Sequence, residues 1–364
     1  MKVNVFKIPQ NSPDDLTHLD VLVQNKQLDP SKIVAILGKT EGNGCVNDFT
    51  RGFAVQTLKS YLQEKLGNGF AEQVVYVMSG GTEGVLSPHL TIFTREEAQP
   101  DESRQWGLVL GVSRTREFQP EEIGTLMMVK TVAASVEEAI ISAGLAKQDV
   151  HFVQIKCPLI TSTRLQSEEH KDVATRNSYQ SMAYSRGASA LGVAVALGEI
   201  QLEQLTAADI CKNYSLYSSV ASTSAGVELQ NCEILVLGNS PTSASPFVIG
   251  HSVMQHALDT QAVRQAIEST GQPLERVVNV FAKAEADPSG LVLGYRHTML
   301  DDSDINHTRM ARAVVGAVVA SVVQNPMVYV SGGSEHQGPP GGGSVVAIAQ
   351  RNTVASSAST NGSN

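Results

Sequence analysis

A chain of 364 residues, 42% of them hydrophobic and 17% charged, can bury a sizeable core without disulfide staples, and its length suits two or three domains. The formal net charge of −9 argues against a nucleic-acid or anionic-membrane surface but leaves room for a local basic pocket. The four cysteines (Cys45, Cys157, Cys211 and Cys232) form no metal-spaced pair and are expected as reduced thiols in a cytoplasmic protein.

The N-terminal stretch MKVNVFKIPQNSPDD reads as a short strand and a turn, not as a signal peptide. Next comes KIVAILGK, an apolar run rich in β-branched residues that ends at Lys39. The run that follows it, GKTEGNG, invites a phosphate-loop reading. That motif needs a glycine five residues before its Gly-Lys pair, and Ile33 stands there. A helical stretch is expected to open at Arg51, RGFAVQTLKSYLQEKLG, and a second strand, VVYVMSGGTEG, runs into Ser79. A third strand, HLTIFT, leads to the polar stretch 96–105.

The same order then recurs. DVHFVQIK ends at Lys156, RGASALGVAVALGEI starts at Arg186, SVASTSAGVEL carries Ser224, and CEILVLG follows. After the polar stretch 238–246, RVVNVFAK ends at Lys283, RAVVGAVVASVV starts at Arg312, MVYVSGGSEHQG carries Ser331, and SVVAIA follows. In each copy a β-branched residue sits six and three positions before the lysine, and the serine begins the pattern Ser-[Gly/Ala]-Gly-x-Glu. The run AVVGAVVASVV is too short to span a bilayer. A period of roughly 105 to 145 residues is too long for a solenoid and fits three homologous α/β units. They are expected at 1–100, 106–240 and 246–350, with 351–364 as a flexible polar tail.

A lone lysine at a strand end is usually solvated and a lone serine before glycine usually makes a turn. Three matching Lys, Arg and Ser sets point elsewhere. Around a pseudo-threefold axis they would line one pocket, a barrel-like centre with the helices outside. Such a pocket suits a flat ring bearing carbonyl oxygens on several sides, held by arginines and backbone N–H groups. A serine becomes nucleophilic when a neutral lysine takes its proton. Lowering a lysine from ~10.4 to ~7–8 takes roughly 4 kcal/mol, which burial and neighbouring cations supply. Lys39 and Lys283 have glutamates two residues on, Glu41 and Glu285, whereas Lys156 has Pro158. Lys156 is therefore expected as the neutral base and Ser224 as the nucleophile, with Lys39 and Lys283 in supporting dyads.

The segments GKTEGNGCVNDFTR, MSGGTEGVLSPH, HFVQIKCPL, MAYSRGASALG, NVFAKAEA, HTMLDDSDIN and MVYVSGGSEHQGPPGGG resemble the cyanuric acid hydrolase and barbiturase family of cyclic amide hydrolases. The resemblance implies three concatenated repeats around one central site. It implies ring opening of cyanuric acid to carboxybiuret, which decarboxylates to biuret, or of barbituric acid in the alternative, without an organic cofactor. A binding protein for a planar anion is the non-catalytic alternative.

Carried over by position, the resemblance gives Ser224 as nucleophile and Lys156 as base. Substrate contacts fall on Arg51, Ser79, Gly80, Arg186, Ser224, Ala225, Arg312, Ser331 and Gly332, with Arg309 competing with Arg312. A structural Mg²⁺ or Ca²⁺ is implied at Glu285, Ser334, Gln337, Gly338, Pro339 and Gly342, a hard-oxygen donor set. A homotetramer is also implied. His89, His297, His307 and His336 lack zinc spacing and are expected to be structural.

Overall fold

A computed structural model describes residues 1–165, 172–301 and 304–352. Residues 353–364, most of the expected tail, lie outside the described residues. The first unit contains β1 (Lys2–Pro9), α1 (Thr17–Gln24), β2 (Ile33–Thr40), α2 (Phe49–Leu66), the short α3 (Asn68–Ala71), β3 (Val75–Gly80) and β4 (His89–Glu96). The second contains β5 (Gln105–Arg114), α4 (Leu126–Ala143), β6 (Val150–Pro158), α5 (Ser178–Leu197), β7 (Ala221–Gly226) and β8 (Glu233–Ser243). The third contains β9 (Phe247–Met254), α6 (Thr260–Glu268), β10 (Val277–Ala284), a small hairpin of β11 (Leu291–Val292) and β12 (Tyr295–Arg296), α7 (His307–Val323), β13 (Tyr329–Gly332) and β14 (Gly343–Gln350).

Each unit builds one four-stranded sheet, and the three orders are equivalent: β1-β4-β2-β3, β5-β8-β6-β7 and β9-β14-β10-β13. In each, the lysine strand pairs parallel with the serine strand and antiparallel with the last strand. The register pairs Lys39 with Ser79, Lys156 with Ser224 and Lys283 with Ser331. A register irregularity recurs at Ile33/Ala35, Val150/Phe152 and Val277/Asn279, always starting six residues before the lysine. Matching bulges at matching positions are what three copies of one unit would carry.

Strand alternation sorts each sheet's side chains into two cores. One face packs on the unit's own helices. Ile36, Met78 and Ile92 meet Ala54, Leu58 and Leu62 of α2; Val153, Ile155 and Val236 pack with residues of α4 and α5; Val280, Ala282 and Val345 pack with α6 and α7. The opposite faces meet in one cluster shared by all three units, which includes Leu37, Val77, Phe152, Leu235, Phe281, Tyr329 and Val346. There the Phe281 ring packs at a tilt against Phe152 and Tyr329, with ring centroids 5.0 and 5.5 Å apart. Lys39 is two residues beyond Leu37, Lys156 four beyond Phe152, and Lys283 two beyond Phe281. Each lysine therefore continues the shared-core face of its strand, which is why all three are 0–1% exposed.

Three expectations change. The central barrel does not form: among the described residues no strand of one unit pairs with a strand of another, and the units meet mainly through side chains, with a few backbone hydrogen bonds such as Ser87 N to Pro326 O and Ser218 N to His336 O. The polar stretch 238–246 is mostly strand, because β8 runs on to Ser243. Its polar groups join units, Asn239 bridging the backbone of Ile249 and Ser245 bonding Val3 O, while Ser243 bonds Leu108 O within the second unit. The helices also start earlier than expected. Asp48, Asn177 and Asn306 cap α2, α5 and α7, which places Arg51 in a first turn but Arg186 and Arg312 well inside their helices. Among the described residues no helix is long and apolar enough to cross a membrane.

Candidate active site

One narrow cavity is lined by Arg51, Ser79, Gly80, Arg186, Ser224, Ala225, Arg312, Ser331 and Gly332, together with Gly44, Met182 and Thr308. All nine expected contact residues meet there. Arg309 does not line it; that side chain is 42% exposed and reaches Glu83 from outside, whereas Arg312 is 3% exposed and faces the cavity. None of the four histidines lines it either. His89 is buried with Nδ1 on Ser87 O, His336 spans Cys211 N and Leu216 O, and His297 contacts Asp287 O.

The lysines lie beneath the cavity floor. Lys39 donates to Ser79 Oγ at 3.3 Å, and Lys283 donates to Ser331 Oγ and, at 2.9 Å, to Thr223 O of the second unit. Lys156 donates to Met78 O of the first unit at 2.9 Å. Two lysines thus reach the carbonyl that precedes the neighbouring unit's serine. Burial, followed by the Arg312 charge, holds Lys39 well below the usual lysine range, and burial with Arg186 pulls Lys283 down to about 7. Burial also lowers Lys156, against the pull of Glu228.

The serines differ. Ser79 and Ser331 are tied to their own lysines, whereas Ser224 Oγ has no hydrogen-bond partner among the described residues. The buried Tyr329 phenol lies beside the Ser224 and Ser79 hydroxyls, which oppose the strong upward push of burial on its pKa. The equivalent positions in the other units are Val77 and Ser222.

Lys156 does not stand without an acid, contrary to what Pro158 in the sequence suggested. Glu41 is exposed, and Glu285 is engaged by His307 Nδ1 at 2.9 Å and Thr308 Oγ1 at 3.0 Å. The lysine with a carboxylate on it is Lys156, whose Nζ lies 2.8 Å from Glu228 Oε1. That acid comes from the serine loop, a source invisible to neighbour-by-neighbour reading.

Glu228 is one of three such acids, each four residues after its serine. Glu335 grips Arg186 bidentately at 2.8 and 3.0 Å, and Glu83 grips Arg312 at 2.6 and 2.9 Å. Each of these pairs crosses to another unit. Arg51 crosses as well, donating to Ala225 O at 3.3 Å, so the contacts run from the first unit to the second, second to third, and third to first. These glutamates were visible in the repeated Ser-[Gly/Ala]-Gly-x-Glu pattern; what the pattern lacked was any sign of which cation each would meet.

At the expected ion site, Glu285 and Ser334 line one cavity of about 170 Å³ with His307 and Glu335. Gln337, Gly338, Pro339 and Gly342 do not line it, and the Gln337 side chain turns away, accepting from Thr223 N at 2.5 Å and donating to Gly333 O at 3.0 Å. Among the described residues no group of three or more His, Cys, Asp or Glu is placed to hold a metal. Of the expected donors only Glu285 and Ser334 meet in this cavity, and the Gln337 main-chain oxygen accepts from Ser344 N at 2.9 Å.

Fold and site define an α/β protein in which three like units converge on a single cationic cavity that carries serine hydroxyls over buried lysines. The family described as "Amidohydrolase ring-opening protein" (Amido_AtzD_TrzD) matches residues 4–350. The chain is 52% identical over 368 residues to a cyanuric acid amidohydrolase of Enterobacter cloacae, covering 96% of this chain and 100% of that one. It is 49% identical over 360 residues to a cyanuric acid amidohydrolase of Pseudomonas sp. (strain ADP), covering 96% and 99%. A solved structure described as "Cyanuric acid hydrolase: evolutionary innovation by structural concatenation" superposes with a TM-score of 0.93 at 48% identity, covering 96% of this chain and 99% of that one. A cyanuric acid hydrolase structure from A. caulinodans superposes with a TM-score of 0.91 at 46% identity, with the same coverage. The chain belongs to the ring-opening amidohydrolase family.

Proposed function

We propose that this cavity opens the ring of cyanuric acid, with Ser224 as nucleophile and Lys156 as base. The three units would stand about a pseudo-threefold axis, so that a planar ring with three carbonyl oxygens offers one to each Arg/Ser corner. The observation that carries the reading is the convergence of nine expected contact residues on one cavity, into which Ser224 presents a hydroxyl held by no lysine. The names of relatives at 46–52% identity support cyanuric acid as the ring.

In this reading Ser224 Oγ bonds to a ring carbonyl carbon and passes its proton to the neutral amine of Lys156. The arginines and the N–H groups of the Ser-Gly/Ala corners hold the oxygen as negative charge develops on it. The ring C–N bond then breaks, and the proton on Lys156 moves to the departing nitrogen. Water cleaves the ester on Ser224, restoring the hydroxyl and releasing carboxybiuret, which loses carbon dioxide to give biuret. A divalent cation held by Glu285 and the carbonyls of the Ser334–Gly342 loop would brace the third serine corner and take no part in the proton transfers.

Purified protein incubated with cyanuric acid and, separately, barbituric acid tests this by loss of ring absorbance and by product analysis. Turnover of cyanuric acid to biuret is expected. Opening of barbituric acid alone would move the assignment to that ring, and opening of neither would overturn it.

A further inference from the structure

The three Ser-x-Gly-x-Glu corners are alike in sequence but not in what their glutamates hold. Glu83 and Glu335 each clamp the cavity arginine of another unit, Arg312 and Arg186. The same rule would give Arg51 to Glu228. Instead Glu228 folds back over its own loop, so close that a β-carbon on Gly226 would lie 2.0 Å from its Oε2, and meets Lys156 at 2.8 Å. At the matching glycines an arginine shares or takes that room: a β-carbon on Gly81 would meet the Arg312 guanidinium and Glu83 Oε2 both at 2.6 Å, and one on Gly333 the Arg186 guanidinium at 2.5 Å. Arg51 shows the consequence. Its Nε is buried with no hydrogen-bond partner and has only a long 3.9 Å contact with Asp48 of its own unit, while its other donors go to the carbonyls of Ala225 and Cys45.

We propose that Glu228 is the positioning residue that singles out one of the three equivalent corners, by holding Lys156 Nζ where its two counterparts hold arginines. This rests on the assignment of Lys156 as the base. With its Nζ drawn to Glu228 and Met78 O, Lys156 makes no hydrogen bond to its serine here, and Ser224 Oγ is left without a partner to meet a ligand. Once Lys156 has taken the serine proton, the carboxylate at 2.8 Å steadies the ammonium until that proton is passed on. The charged or titratable groups acting on Lys156 are Glu228, Arg51 on α2, and Cys157 on its own strand. Glu228 favours the ammonium and Arg51 opposes it. Glu83 and Glu335 act differently, each fixing the guanidinium of a cavity arginine, Arg312 and Arg186.

The test compares Glu228→Gln with Glu83→Gln and Glu335→Gln. Removing the acid beside Lys156 leaves burial and Arg51 to favour the neutral amine. The ascending limb of kcat/KM against pH should therefore move to lower pH by about one unit or more in Glu228→Gln. Glu83→Gln and Glu335→Gln should raise KM and leave that limb in place. Titration of Lys156, followed by the ¹³Cε shift of labelled lysine and assigned with Lys156→Met, reads the same change without turnover. It applies if Glu228→Gln is inactive or if the wild-type protein opens neither ring. A Lys156 titration and a pH limb unmoved by Glu228→Gln, or moved equally by Glu83→Gln, would overturn the inference. Absence of wild-type turnover with the titration shifted would instead strike the ring-opening assignment and leave the Glu228–Lys156 coupling standing.

Discussion

Replacing Arg186 with methionine separates what the ion pairs do for stability from what the arginines do for the ligand. The Arg186 and Glu335 side chains are 12% and 11% exposed and lie 2.8 Å apart. At that separation the gross attraction is roughly 6 kcal/mol with an effective dielectric of ~20. Desolvation offsets much of it, but removing one partner leaves a buried carboxylate without its cation, at a cost of about 3–5 kcal/mol. An unfolding entropy of ~2.1 cal/mol/K per residue converts this into a fall in Tm of about 4–7 °C for a chain of this length. The double variant Arg186→Met/Glu335→Gln removes both charges and should recover most of that loss.

The pH dependence has a definite sign. In the intact protein, burial would raise the Glu335 pKa, but Arg186 overcomes it and holds the carboxyl below its usual range. That contribution is present above the ordinary carboxylate range and lost as pH falls through the lowered value. In Arg186→Met the unpaired carboxyl titrates above its ordinary value instead, so the deficit against the intact protein should be largest near neutrality and shrink in acid. Calorimetry from pH 4 to 8, alongside steady-state kinetics, measures both effects. Ring binding should be lost in the single and the double variant alike. A single variant melting within about 1 °C of the intact protein would refute the buried-pair argument, since a lost surface pair costs no more than that. A double variant with full kcat/KM would refute the arginine's place on the ligand.

Ser224→Ala should abolish ring opening, while Ser79→Ala and Ser331→Ala should chiefly raise KM; equal loss of kcat in all three would leave the nucleophile unassigned. Arg312→Met should cost at least tenfold in kcat/KM, whereas Arg309→Met, which alters a half-exposed side chain outside the cavity, should change it less than twofold. Treatment with a strong chelator should lower Tm, with Mg²⁺ or Ca²⁺ restoring it. An unchanged Tm in chelator and in Glu285→Gln would remove the ion from this site.

Much of this arrangement was legible because the repeated elements carry chemistry at fixed register. A β-branched run ending in lysine could be recognised three times, and strand alternation alone aims Lys39 along the face of Leu37 and Lys283 along that of Phe281. The serines followed for the same reason, two residues beyond Val77 and Tyr329. Partnership across units was not legible. Sequence distance said nothing of Glu83 meeting Arg312 or of Glu335 meeting Arg186, contacts between residues 229 and 149 positions apart. Nor could it show that Glu228 would fold back on Lys156. The helix starts were misplaced because the capping residues Asn177 and Asn306 lie upstream of the repeated arginine motifs.

Triplication supplies a grip with three near-equal corners, but hydrolysis needs one corner to act while the others hold. If Lys39, Lys156 and Lys283 were equivalent in every respect, a bound ring would face three competing nucleophiles, each with the same claim to a proton acceptor. The departures from equivalence sit where that competition would be settled. Ser79 and Ser331 are bonded to their lysines, Ser224 is not, and the one phenol among the three corners, Tyr329, lies against Ser224 and Ser79. Tyr329 belongs to the shared core and is anchored by its contact with Phe281, so its hydroxyl is delivered to the second unit's serine by a residue of the third. Tyr329→Phe keeps that packing and removes only the hydroxyl. If the phenol helps to aim Ser224, the substitution should lower kcat several-fold with Tm changed by less than about 1 °C, because a buried phenol without a well-formed hydrogen bond contributes little to stability. A Tyr329→Phe protein with unchanged kcat would leave the asymmetry to Glu228 alone.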